Sequence, residues 1–211
     1  MALEPVMRTD EHHVDKHGRI LAMRKIQEIE AVFLGDSLTR RWEDNADLWE
    51  KFFAPYHAAN FGVGSDCLEN IKWRVLNGEL EGIAPRILLL MAGTNNLGKD
   101  SAEAVESGIA EIVAIIRQKL PRTRIVVLGL LPRNDDGTGV PYGRMIGEIN
   151  RRLALRYART EIHFRNIGTG LADAAGTVDA AVMPDGIHLN RAGYELVGPR
   201  LKAILDELWG N

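Results

Sequence analysis

The chain has 211 residues, of which 45% are hydrophobic and 26% are charged, and its formal net charge is −3 at pH 7. This length suits one α/β domain with a sizeable core. The weak negative charge gives no electrostatic basis for binding nucleic acid or an anionic membrane.

Targeting signals are absent from the visible pattern. No apolar run approaches the roughly 20 residues that span a bilayer, and residues 1–13 show no basic region followed by an apolar block. A cytoplasmic location is therefore expected, and a signal removed beforehand would give the same pattern. The single cysteine, Cys67, has no partner for an internal disulfide and is expected in the core.

The first 17 residues are polar and irregular, which predicts a flexible, solvated N-terminal arm (1–17) before a single domain (18–211). His12, His13 and His17 cluster in this arm. They lack the accompanying cysteines or carboxylates of a typical metal site.

A lead-in helix is predicted over residues 20–29, and the apolar run 31–34 is typical of a strand buried on both faces. Gly35 ends that run, and Asp36 and Ser37 form the turn into a helix. This arrangement brings Ser37 to the carboxyl edge of a parallel sheet and near a helix N-terminus, where anionic ligands bind. Serine and aspartate are also common helix caps, so the turn alone is compatible with capping.

A helix over residues 44–53 leads to a second strand over 56–61, which ends in NFGVGSD (60–66). The two glycines allow positive φ angles or a close approach of the backbone to a ligand. A dinucleotide motif would need a third glycine where Cys67 stands, so a phosphate loop is a weak interpretation.

The other elements follow from apolar periodicity and from stop signals at proline and glycine. They are helices over 67–76, from the Ser101 cap to Pro121, over 141–158 and over 191–209, with strands over 86–91, 124–130 and 162–167. A turn-rich loop at 132–139 is expected to line the alcohol side of a site, and a loop at 168–187 is long enough to be functional. Strands and helices alternate five times, which predicts a parallel sheet covered by helices on both faces.

Polar groups at the carboxyl ends of these strands suffice for acyl transfer. Ser37 would be the nucleophile, His188 its base and Asp185 the group that holds the imidazole. Donors to the oxyanion would be the N–H of Ser37, an N–H of the Gly64–Ser65 turn and the amide of Asn95. Each piece has an alternative, since an Asp-x-x-His before a helix is often a cap with a surface histidine, and asparagines often satisfy turn backbone.

Together these blocks resemble the SGNH, or GDSL, family of serine esterases and lipases, and are most similar to the catalytic subunits of intracellular platelet-activating-factor acetylhydrolases. The segments that carry the resemblance are FLGDSL (33–38), NFGVGSD (60–66), WRVLNGELEGIAPR (73–86), GTNN (93–96), VVLGLLPR (126–133) and DGIHLN (185–190).

The resemblance implies a flavodoxin-like three-layer α/β/α fold and ester hydrolysis without metal or cofactor. It also implies a small acyl group, acetyl being expected, and a homodimer. It gives the same triad, Ser37, His188 and Asp185, and an oxyanion hole formed by Ser37, the second-block turn and Asn95. The family usually has glycine where this chain has Ser65, which puts the local backbone angles in question and leaves Gly64 as the other donor.

Two alternatives stay open at this point. One is a non-catalytic flavodoxin-like module that binds a small anion at the same edge. The other is a metal-dependent hydrolase that uses Asp185, His188 and the N-terminal histidines, although two ligands fall short of a catalytic zinc site. The chain has neither a GxSxG elbow nor an HExxH motif. Trp42 and Met183 are candidates for the pocket wall, and a core position is equally compatible with Trp42.

Overall fold

The computed structural model describes residues 2–134, 142–173 and 176–210. The strands are β1 (Ala31–Gly35), β2 (Ala58–Gly62), β3 (Ile87–Met91), β4 (Arg124–Leu128) and β5 (His163–Arg165). The helices are α1 (Glu11–Ile26), α2 (Ser37–Arg40), α3 (Ala46–Phe53), α4 (Leu68–Leu76), α5 (Ala102–Lys119), α6 (Tyr142–Tyr157) and α7 (Arg191–Trp209). Single 3₁₀ segments lie at Arg41–Asn45, Ala54–Tyr56 and Thr94–Asn96.

The five strands form one parallel sheet in the order β2-β1-β3-β4-β5. The predicted five-stranded parallel α/β fold is therefore confirmed. The chain order reverses between β1 and β3, and in sheets of this order ligands bind at that switch point, outside the carboxyl ends of the strands.

Both faces of the sheet are buried, which explains why the strands read as continuous apolar runs. Because side chains alternate along a strand, Val32 and Leu34 of β1 pack toward α1, α4, α5 and α6, whereas Ala31 and Phe33 pack toward α3 and α7. The same alternation runs through β3 and β4. The helices thus hold the strand ends of the switch point in place from both sides.

The prediction of a solvated arm over residues 1–17 is wrong from Glu11 onward, because α1 runs through the predicted boundary. His13 is fully buried and its Nδ1 lies 3.0 Å from a carboxylate oxygen of Asp66. His17 Nδ1 lies 2.8 Å from a carboxylate oxygen of Glu79. The local sequence pattern predicts that His13 and His17 are solvated. They are instead held by the buried carboxylates of Asp66 and Glu79, which belong to other parts of the fold.

Smaller differences concern element ends. The second strand begins at Ala58 rather than at residue 56, because Ala54–Tyr56 forms a 3₁₀ segment and His57 follows it with φ 44°. Of the predicted loop at 132–139, residues 135–139 lie outside the described part of the chain. Within the described ranges, no helix combines the length and the apolar character needed to cross a bilayer.

Candidate active site

The register of the sheet aligns three turns at its carboxyl edge. Gly35 of β1 pairs with Gly62 of β2 on one side and with Met91 of β3 on the other. Two positions beyond these three in-register residues come Ser37, Gly64 and Gly93. The turns that were predicted to hold the nucleophile and the oxyanion donors therefore start from one line across the sheet.

Ser37 is the first residue of α2, and its residue surface is 8% exposed. Asp36 caps this helix, accepting from the N–H of Leu38 at 2.9 Å. The Oγ of Ser37 lies 2.9 Å from Nε2 of His188, 151 positions further along the chain. The fold thus brings a hydroxyl and an imidazole into hydrogen-bond contact across the site.

His188 is held on its other side by Asp185, whose Oδ2 lies 2.7 Å from Nδ1. The second oxygen of this carboxylate accepts from the N–H groups of Ile187 and His188, at 3.0 and 2.7 Å. Partial burial acts to raise the pKa of Asp185, but these hydrogen bonds and the imidazole outweigh it and lower the pKa to about 2. Asp185 is therefore a carboxylate throughout the neutral range.

The loop that carries Asp185 and His188 is fastened to the rest of the edge. Gly186 has φ 72°, and its carbonyl accepts from the N–H of Asn134 at 2.9 Å. The side-chain oxygen of Asn134 accepts from the N–H of Val178 at 2.8 Å. These contacts tie the acid–base turn to the loop after β4.

The predicted oxyanion residues lie in two linked turns. Asn95 Nδ2 donates to the backbone carbonyl of Asp66 at 2.9 Å, which joins the turn after β3 to the turn after β2. Ser65 has φ 64°, the left-handed region that favours glycine. Ser65 therefore adopts the left-handed backbone conformation that is usual for glycine, and it keeps its backbone N–H as a potential donor.

Asp36 is a buried acid beside the nucleophile, with 1% of its surface exposed. Its Oδ2 has no hydrogen-bond partner among the described residues. Burial raises the pKa of Asp36 to about 7, and the nearby charge of Asp66 acts in the same direction. The helix-cap hydrogen bond from Leu38 opposes this rise. The charge of Asp36 therefore changes near neutral pH.

Trp42 and Met183 take core positions. Each is 1% exposed, within the cluster between the sheet and helices α3 and α7. The ring of Trp42 packs on Phe53 and Tyr194, with centroids 4.9 and 4.5 Å away. Neither side chain offers open surface to a substrate. Trp42 therefore takes its core alternative, and the predicted pocket position of Met183 is not supported.

A buried ion network lies behind the second turn and was not predicted from the sequence. Arg74 and Asp66 are both fully buried and paired at 2.7 Å, and Arg74 also pairs with Glu79. An arginine between the buried positions Ile71 and Val75 of α4 was the available signal, because a charge on an apolar helix face needs a buried partner.

Among the described residues, no three or more histidine, cysteine, aspartate or glutamate side chains are grouped so as to hold an ion.

The chain is similar in sequence and in fold to known lipases and acylhydrolases. Residues 33–196 match the model of the GDSL-like lipase/acylhydrolase family. The chain is 38% identical to human platelet-activating factor acetylhydrolase IB subunit alpha1 over 193 residues, which covers 91% of this chain and 82% of that protein. It is 32% identical to the rat alpha2 subunit over 200 residues, 94% of this chain and 86% of that protein. In fold it is similar to a GDSL-like lipase from Bacteroides thetaiotaomicron, with a TM-score of 0.76, 17% identity and coverage of 90% and 97%.

Proposed function

Because the chain belongs to the GDSL-like lipase/acylhydrolase family, it is a carboxylic ester hydrolase, and we propose that it removes acetyl and other short acyl groups through an acyl-enzyme on Ser37. One observation carries this proposal. Hydrogen bonds of 2.9 and 2.7 Å join Ser37 Oγ, the two ring nitrogens of His188 and the Asp185 carboxylate in one row. A serine hydroxyl needs such a base, since alone it is a weak nucleophile.

Acylation follows from the row of hydrogen bonds. With a proton on Nδ1 shared with Asp185, Nε2 of His188 accepts the Ser37 proton as Oγ attacks the ester carbonyl carbon. The carbonyl oxygen becomes an oxyanion and the carbon becomes tetrahedral. When the carbon–oxygen bond to the alcohol breaks, His188 returns its proton to the leaving alkoxide, and the acyl group stays on Ser37.

Deacylation repeats these steps with water. His188 takes a proton from water as its oxygen attacks the acyl carbon, and then protonates Ser37 Oγ when the acyl bond breaks. The products are a carboxylic acid and the free enzyme. The negative charge of Asp185 stabilises the imidazolium that forms in both halves of the reaction.

The oxyanion hole is assigned to the N–H of Ser37, the N–H of Ser65 and the side-chain amide of Asn95. The in-register strand ends support this assignment, because they start all three turns from one line across the sheet. Asn95 Nδ2 donates one hydrogen to Asp66 and has a second to offer. Loss of one such donor typically lowers kcat about 10²–10³-fold.

The preference for short acyl groups rests on the relatives. Two subunits named as acetylhydrolases match over more than nine tenths of this chain. Family membership also favours hydrolysis over the alternative of a non-catalytic anion-binding module, which would have no use for a complete row of hydroxyl, imidazole and carboxylate.

An organophosphonate probe tests the nucleophile. After reaction with a p-nitrophenyl phosphonate, peptide mass spectrometry is expected to find the label on Ser37. Ser37→Ala is expected to hydrolyse p-nitrophenyl acetate several orders of magnitude more slowly. Ser101→Ala is the matched control, since Ser101 caps α5 by accepting from the N–H of Ala104 and is expected to leave turnover unchanged. Label on another residue, or full activity in Ser37→Ala, contradicts the assignment.

A series of p-nitrophenyl esters tests the acyl preference. We expect kcat/KM to be highest for acetate and to fall as the chain lengthens through butyrate to octanoate. A maximum of kcat/KM at octanoate would contradict the preference for short acyl groups but would leave the assignment of Ser37 as nucleophile intact. Lack of turnover for every ester by folded protein would instead favour the binding module.

A further inference from the structure

The residues Val63–Asp66 form a tight turn whose central peptide has two possible orientations. The N–H of Asp66 donates to the carbonyl of Val63 at 3.3 Å, and Ser65 at the third position has φ 64°. Because Gly64 is not among the glycines with positive φ, a positive φ at Ser65 indicates a type II turn, whereas a type I turn has the central peptide turned over and a negative φ there. Type II turns favour glycine there, so Ser65 has to be held in this form.

Arg8 contacts the carbonyl of that central peptide. Its Nη1 donates to the carbonyl oxygen of Gly64 at 2.6 Å and to Oδ1 of Asp66 at 2.9 Å. The Arg8 side chain is 23% exposed and the Asp66 side chain is fully buried. One nitrogen of Arg8 therefore joins the middle of the turn to a buried carboxylate at its end.

The carboxylate of Asp66 is a firm anchor. Its Oδ2 accepts from Nε of Arg74 at 2.7 Å, and its Oδ1 lies 3.0 Å from Nδ1 of the buried His13. Arg74 in turn donates to the carbonyls of Gly35 and Phe61 at 3.0 and 3.1 Å, near the ends of β1 and β2. Arg8 thus holds Gly64 relative to the strand that leads to Ser37.

Holding the Gly64 carbonyl also sets the direction of an N–H. A trans peptide is planar, so the carbonyl of Gly64 and the N–H of Ser65 point in opposite directions from one rigid unit. Turning that unit over would relieve the left-handed angle at Ser65 and would reverse its N–H. The contact with Arg8 opposes this reversal.

We propose that Arg8 is a positioning residue that aims the N–H of Ser65 at the oxyanion by holding the Gly64 carbonyl. This inference rests on the proposed function, because it deepens the account of the same oxyanion hole. It makes the N-terminal segment before α1 part of the active site. Arg8 would thereby compensate for the steric cost of the left-handed angle at Ser65, a cost that glycine at this position would not have.

Steady-state kinetics with p-nitrophenyl acetate test the proposal. Arg8→Met keeps the apolar stem and removes the donor, and we expect kcat to fall about tenfold or more with KM within threefold, because the oxyanion forms only in the transition state. Arg8→Lys is expected to recover most of the loss, since one nitrogen makes both contacts. Arg8→Gln, which is too short to reach, should behave like Arg8→Met and gives a second measurement if that variant does not fold.

Arg19→Met is the matched control, because Arg19 lies on the exposed surface of α1 and pairs only with Asp15 among the described residues. It is expected to match the native enzyme in kcat and KM. All rates are taken per active site counted by phosphonate labelling, which removes any effect of a smaller folded fraction.

A double-mutant comparison separates positioning from general support. With Ser65→Gly the left-handed angle has no steric penalty, so adding Arg8→Met should lower kcat by less than threefold. An Arg8→Met effect of the same size in both backgrounds, or a kcat within threefold of native in Arg8→Met and Arg8→Gln, overturns the proposal. Ser37→Ala measured alongside keeps the two levels apart, because activity in that variant would refute the proposed function itself.

Discussion

Replacing Asp36 with asparagine should make the protein more stable at alkaline pH relative to the native chain. Asp36 is 1% exposed, and only one of its two carboxylate oxygens accepts a hydrogen bond from a described residue. Asparagine has the shape of the protonated acid and is an equally good helix cap. The substitution therefore removes a titrating proton and leaves the contact with Leu38 in place.

The size of the effect follows from the pKa of Asp36, which rises from the ordinary value of 3.8 to about 7 on folding. Between these values the folded chain binds more protons than the unfolded chain, so Asp36 favours folding fully below pH 3.8 and loses that contribution as pH rises through 7. At 1.36 kcal/mol for each pKa unit, the native chain should lose about 2–3 kcal/mol between pH 5 and pH 8 through this group.

Urea unfolding at pH 5 and pH 8 measures this difference. The free energy of unfolding of Asp36→Asn minus that of the native chain should increase by about 2–3 kcal/mol from the lower to the higher pH, or about 5–10 °C in Tm. Asp15→Asn, at a half-exposed carboxylate on α1, is the control and should show no such increase. An Asp36→Asn difference that is equal at both pH values would refute the reasoning from burial.

Three further outcomes test the geometry of the site. Gly62→Ala should destabilise the protein by about 3 kcal/mol or more in urea unfolding, because an added Cβ would lie 2.3 Å from the backbone nitrogen of Arg40; a loss below 1 kcal/mol would show that the strand end and α2 separate easily. Asp185→Asn should lower kcat for p-nitrophenyl acetate roughly 10²–10⁴-fold with little change in Tm, since its amide oxygen can still accept from the loop N–H groups but its NH₂ cannot accept from His188 Nδ1; activity within tenfold of native would remove the carboxylate from the mechanism. Ser65→Gly should keep kcat within about threefold, whereas Ser65→Val should lower both kcat and Tm, because a β-branched residue tolerates φ 64° poorly; equal activity in the two variants would contradict the importance of that angle.

Much of the fold was predictable because its signals are local. Each central strand is a short apolar run bounded by turn residues. Helices α5 and α7 have an apolar period near 3.6 and begin after the side-chain caps Ser101 and Asn190. Alternation of such elements leaves few topologies open. The candidate triad was predictable for the same reason, since parallel strands end at one edge and bring Ser37 and His188 to it.

The contacts of the N-terminal segment were not predictable from local pattern. Arg8 and His13 look solvent-exposed in the local pattern, yet both contact Asp66, 58 and 53 positions further along the chain. Burial of a polar side chain is favourable only when a complementary group lies within hydrogen-bond distance, and here that group belongs to a distant element. The periodicity of apolar residues reports which face of one helix or strand is buried. It carries no information about contacts between polar residues far apart in the sequence.

The sequence by itself therefore determined the order of strands and helices, the edge at which the polar turns meet and the residue types available for acyl transfer. Only the tertiary structure decided that Trp42 and Met183 belong to the core, that Ser65 takes a left-handed angle and that Arg8 holds the turn in which Ser65 lies. The physical reason is that spacing along the chain encodes which face of an element is apolar. Hydrogen bonds between distant polar groups and the shape of a turn depend instead on the packing of segments that are far apart in sequence.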